Sequence, residues 1–175
     1  MRTFLLLALV ALLAAAPSAA QSQTAMSAVP TMGSGPHGYD FLIGTWSCVN
    51  GAEYTPISGP RSTTERFTLS GQNGAIFIRT TGNNFDVSGY IAYNARTRTW
   101  SNPVAYADGS NSTETSKAGG SKTVWYGTYS DFITGKSTDI RDTYTLTARG
   151  RFTDLGESKS GPFWKKTYFT TCTKF

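Results

Sequence analysis

The sequence predicts an all-β domain, a single antiparallel up-and-down barrel of about ten strands. Three observations carry this. Beyond Tyr39, short stretches rich in Thr, Tyr, Val, Ile, Phe and Trp alternate apolar with polar residues, the period of a half-buried strand. Gly, Asn and Asp separate these stretches at hairpin spacing. The only two cysteines, Cys48 and Cys172, fall in the first and last stretches. A bond between them requires those strands to be neighbours, as barrel closure provides, and closure also removes the exposed edges of an open sheet.

The elements follow in order. Residues 1–20 read as a cleaved export signal, with Arg2, an apolar run over residues 4–16 and a small-residue region ending at Ala20. No second apolar run long enough to span a bilayer follows, and no Cys at the cleavage region offers a lipid anchor. The mature chain is therefore expected to be secreted or periplasmic, with no transmembrane segment. Residues 21–38, rich in Ser, Ala, Gly and Pro, read as a flexible leader that buries too little surface to offset its ordering entropy. Residues 39–175 form the barrel domain.

At most one helical turn, over residues 38–42, precedes the first strand, "GTWSCV". "STTERFTLS" and "AIFIRTT" are joined by the hairpin signal "GQNG". "FDVSGYIAY" and "TRTWSNPVAYA" flank a bend at Asn94. "DGS" leads into "NSTETS", and "AGG" into "SKTVWYGTYS". "TDIRDTYTLTA", a bend at Gly150, "RFTDLGE" and "FWKKTYFTTCTK" complete the set.

In an oxidising compartment an even pair of cysteines reads as a disulfide, worth roughly 5 kcal/mol by loop-closure entropy. The other reading is two buried free thiols. A metal centre is not expected, because the single histidine, His37, lies in the leader and two thiols are too few ligands. The same lack of histidine excludes Ser-His-Asp and Cys-His catalysis. Glu65, Asp86, Asp108, Glu114, Asp131 and Asp142 are candidates for acid–base work, yet no spacing singles out a pair. "GSGPHG" lacks the ending of a phosphate loop. The net charge of +5 is scattered rather than clustered, so no nucleic-acid partner is expected.

The aromatic residues are the main functional material. Half of a barrel's strand positions point inward, and the candidate ligand contacts are Trp46, Tyr90, Trp100 and Tyr106, then Trp125, Tyr144 and Trp164. They suit a small hydrophobic or amphipathic ligand, unless they simply fill the interior. Asp142 is the candidate polar anchor, or else a member of a strand-end salt bridge with Arg79 as its counterpart. A hydrolase or isomerase using carboxylate and Tyr groups, or a filled barrel serving as a surface interaction module, are the alternatives. No cofactor is expected.

The segment "YDFLIGTWSC" resembles the opening of lipocalin-like (calycin) barrels, in which a Gly-x-Trp pair packs the barrel floor. "GYIAYN", "TWSNPVAYADG", "WYGTY" and "RDTY" follow in the order seen in a bacterial exported family of lipocalin-like barrels. The resemblance spans most of residues 39–175 and implies that Gly44 and Trp46 form the floor. It extends distantly to nitrobindin, whose haem iron is held by a histidine near the C-terminus. This chain has no histidine after His37, so the resemblance implies no haem site.

Overall fold

A computed structural model of the chain describes residues 38–51, 62–70, 75–83, 85–117 and 121–175. The signal and most of the leader, His37, and the "GQNG" and "AGG" connections lie outside the described residues. A 3-10 turn, Asp40–Leu42, leads into ten strands: β1 Gly44–Asn50, β2 Ser62–Ser70, β3 Ala75–Gly82, β4 Phe85–Asn94 and β5 Thr99–Tyr106. β6 Asn111–Ser116, β7 Lys122–Ser130, β8 Ser137–Ala148, β9 Arg151–Ser160 and β10 Phe163–Lys174 complete the chain. Each strand pairs antiparallel with its sequence neighbours, and β1 pairs with β10, closing the barrel.

Local chemistry makes the turns. Asn94 Oδ1 accepts from the backbone N–H of Arg96 and Thr97 at 3.0 and 3.2 Å, bending the chain between β4 and β5. Asp108 Oδ1 does the same for Ser110 N–H at 2.9 Å. Gly150, at φ 72°, turns β8 into β9.

The disulfide forms at the closing seam. Cys48 and Cys172 are direct cross-strand partners, bonded across a loop of 124 residues, and both are fully buried. The two-thiol reading is thereby set aside.

One end of the barrel is packed solid. Trp46, Trp100 and Trp125 are all fully buried, each removing on the order of 200 Å² from water, up to about 5 kcal/mol apiece. Tyr39 and Leu42 of the 3-10 turn region plug this end. The Tyr39 ring meets Trp100 edge-on at 4.7 Å, and Trp46 meets Phe152 at 4.9 Å. Trp46 Nε1 donates to the Leu42 carbonyl at 2.6 Å, so the strand that closes the barrel also holds its plug. Trp46 of the Gly44-x-Trp46 pair lies in this floor, as the resemblance implies.

Candidate functional site

Above this floor the barrel is hollow. A cavity of about 920 Å³ extends to the opposite end, where Asn83, Asp108, Asp131 and Lys136 stand around its mouth. Cross-strand register decides which side chains enter it. On β2 the inward set is Thr63, Glu65 and Phe67; on β8 it is Thr138, Ile140, Asp142 and Tyr144. β6 contributes Ser112 and Glu114, and β9 contributes Asp154. Ile78, Val87 and Val104 supply apolar wall between them.

The interior is thus far more acidic than a net positive chain suggests. Burial pushes the Glu65 carboxyl up to about 7. Asp142 is raised to about 6, again mainly by burial, although Tyr168 and Glu114 hydrogen-bond its ionised form and partly offset the rise. Glu114 lies well above the usual carboxylate range through burial and the neighbouring Asp142 charge, and as the protonated partner it donates to Asp142. Asp154 is raised well above its ordinary value by burial and by Asp142, Glu65 and Glu114. The Tyr168 hydroxyl donates to Asp154 Oδ2 at 3.1 Å. Burial and these carboxylates hold the Tyr144 and Tyr168 phenols neutral.

Three buried acceptors around this group lack a hydrogen-bond partner: Glu114 Oε1, Asp154 Oδ1 and Asn102 Oδ1. Glu114 is 3% exposed and Asn102 4%. Such groups ordinarily find partners, since leaving one unmade costs about 1–3 kcal/mol. The arrangement can therefore accept hydrogen bonds from an occupant and supply or take up protons near neutral pH.

The candidates from sequence divide into three groups. Tyr106, Asp142 and Tyr144 line the cavity, with Tyr106 edge-on to Tyr129 at 5.6 Å. Trp46, Trp100 and Trp125 belong to the floor. Tyr90 and Trp164 stand on the outer face and do not enter the cavity. Tyr90 sits between inward-facing Gly89 and Ile91 and meets Phe77 outside at 6.4 Å. Trp164 is turned out by a bulge. It would share a face with Tyr168, Thr170 and Cys172, but the register slips between Lys166 and Tyr168, so upstream residues reverse face. Its ring instead carries the Arg141 guanidinium at 4.7 Å.

Nor does Arg79 serve Asp142. It lies outside and donates through Nε and Nη2 to the two Asp86 carboxylate oxygens at 3.2 and 2.7 Å. The direct neighbours of Asp142 in the cavity are Glu114 and Tyr168.

Asp154 carries no motif and sequence reasoning does not single it out, while Tyr168 stands out only as one of many strand aromatics that could line a cavity. A signal exists: Asp154 is two residues from inward Phe152, and Tyr168 is four before Cys172. Their meeting depends on Gly156. A Cβ there would stand 2.0 Å from the Tyr168 ring, so only glycine lets the ring lie across β9.

Among the described residues, the trio of ligand-type side chains lying within 4.8 Å of one another is Cys48, Glu65 and Cys172. Two of the three are joined as a disulfide, so they cannot ligate an ion as thiolates. No helix of the described residues is long and apolar enough to cross a membrane.

The closed ten-stranded barrel is compatible with a lipocalin-like fold. No protein-family model matches the chain, and no curated protein matches it.

Proposed function

We propose that the protein is an exported barrel that binds a small amphipathic molecule in its interior. The observation that carries this is the cavity itself: about 920 Å³, open at one end and sealed at the other by the tryptophan floor. That volume lies within the range of small-molecule sites, roughly 300–1,000 Å³. Apolar wall and a minority of placed polar groups are the usual means of holding and orienting such a ligand. The lipocalin-like resemblance supports the same reading, and the disulfide suits an oxidising compartment.

The test is direct titration with N-phenyl-1-naphthylamine, a neutral apolar fluorophore, beside native mass spectrometry of protein purified from its own host. Saturable fluorescence gain at one site per chain, lost in Val104→Trp, is expected, together with a reproducible bound mass. No saturable gain and no bound mass would overturn the proposal.

A second reading, acid–base chemistry on the occupant, is favoured by one observation. Burial and the neighbouring carboxylates push Asp154, beside Tyr168, well above its ordinary range, while Asp142 is raised to about 6, a pairing suited to a donor and an acceptor. In D2O such a site would label an enolisable occupant with deuterium, and that labelling would fail in Asp142→Asn. A pure holder would return the occupant unlabelled.

A further inference from the structure

We propose that the occupant is an organic cation, an ammonium group on an apolar body, bound with its charge among Glu114, Asp142 and Asp154. This rests on the reading of the cavity as a ligand site and names the class of molecule it selects.

The first observation is a cluster of four carboxyls that the ion pairs found among the described residues do not neutralise. Glu65, Glu114, Asp142 and Asp154 face one hollow from four different strands. The ion pairs found among the described residues include Arg79 with Asp86, Lys159 with Asp139, and Arg141 with Glu157, a carboxylate that also lines the cavity, and none of these pairs takes in Glu65, Glu114, Asp142 or Asp154. Grouping carboxyls in a low-dielectric interior is unfavourable unless a cation or protons neutralise them. Burial and the neighbouring carboxylates accordingly raise Glu114 and Asp154 well above the usual carboxylate range, so that a proton or a cation is favoured there.

The second observation is independent of charge. Asn102 Oδ1 is a buried acceptor without a donor, and Glu114 Oε1 and Asp154 Oδ1 are buried carboxyl oxygens without a partner that become acceptors when their groups ionise. An occupant rich in acceptors would leave them unmade. A primary ammonium brings three N–H donors and no acceptor, and charge-assisted bonds to carboxylates are about twice as strong as neutral ones. Tyr106 and Tyr144 also line the cavity, and an aromatic ring attracts a cation that lies over its face.

Size and shape separate an organic cation from a metal ion. None of Glu114, Asp142 and Asp154 belongs to the tight trio of ligand atoms found among the described residues. A cavity of about 920 Å³ with Phe67, Ile78 and Val104 on its wall also leaves room for an apolar body that an ion would not use. Among the described residues at the mouth, Asp108 and Asp131 outnumber Lys136, a balance that favours the same sign of charge.

The test uses the disulfide-bonded protein at pH 8 and a matched series: octylammonium, octanol and octanoate, each titrated by calorimetry. Octylammonium is expected to bind at least about tenfold tighter than octanol, with octanoate weakest. In Glu114→Gln and Asp154→Asn, with folding checked by circular dichroism, the ratio of octylammonium to octanol affinity should fall below about threefold. Octanol binding as tightly as octylammonium in the unmodified protein would overturn the cation assignment while leaving the ligand cavity standing. So would calcium chloride binding where octylammonium does not, or a preference that survives both substitutions. If neither octanol, octylammonium nor N-phenyl-1-naphthylamine enters, the ligand-cavity reading falls, and this inference with it.

Discussion

Cys48 and Cys172 stand directly opposite each other on β1 and β10, with Cα atoms 4.1 Å apart, and their bond joins the two ends of the barrel wall. The covalent link lies on the one seam whose strands are remote in sequence, where pairing must otherwise meet the full entropy of closure. Replacing both cysteines by serine is expected to lower unfolding free energy by about 3–5 kcal/mol. Urea denaturation of the oxidised protein, the dithiothreitol-reduced protein and the double variant measures this. A loss below about 1 kcal/mol would show that the seam holds without its staple.

Trp46 ties the floor to the wall. Trp46→Phe removes the donor to the Leu42 carbonyl and leaves space in a fully buried site. A loss of about 2–3 kcal/mol is expected. The plug should loosen first, seen as faster hydrogen exchange at Leu42 and Ile43, whose amides bond to Tyr39 and Asp40 carbonyls.

Gly156 and Tyr168 make a sharper pair. Gly156→Ala forces the ring away, breaks its bond to Asp154, and should cost about 1–3 kcal/mol. Tyr168→Phe keeps the ring and loses only the hydroxyl, with an expected cost near 1 kcal/mol. Equal costs in thermal denaturation would mean that the hydroxyl, not the packing, carries the contact.

The buried carboxyls set the pH dependence. Glu65 rises from 4.5 to about 7 on folding and Asp142 from 3.8 to about 6, so the folded state holds protons that the unfolded chain releases. Their stabilising contribution is full below about pH 4 and is lost as pH rises through 6 and 7. Asp86 and Glu157, lowered by their arginine partners, work the opposite way, but only where they protonate, in more acid solution. The melting temperature should therefore fall between pH 5 and 8. Glu65→Gln should match the parent at pH 5 and exceed it by about 2 kcal/mol at pH 8. Parallel pH profiles for the two proteins would contradict the burial of that carboxyl.

Position relative to the wall gives a control. Tyr90→Ala and Trp164→Ala alter the outer face and should leave N-phenyl-1-naphthylamine affinity within about twofold, the range of a surface change. Tyr144→Ala alters the cavity wall and should shift it about fivefold or more. Sensitivity at Tyr90 or Trp164 would point to a binding surface outside the barrel.

The sequence by itself determined the strands, their number, the bends at Asn94, Asp108 and Gly150, and the closure by Cys48 and Cys172. The strands and bends follow from period-two alternation and turn chemistry, which are local, and the closure follows from the place of two cysteines in the first and last strands. The part of the site held by Tyr106, Asp142 and Tyr144 was legible for the same reason. Only the tertiary structure decided that Trp100 and Trp125 join the floor rather than the wall, because that depends on height along the barrel, which alternation does not encode. It also decided that Trp164 faces out, since one extra residue in β10 reverses the face of everything before it. The meeting of Glu65, Glu114, Asp142 and Asp154 belongs to the same class. Four strands far apart in sequence bring those carboxyls to one hollow, and only cross-strand register places them there.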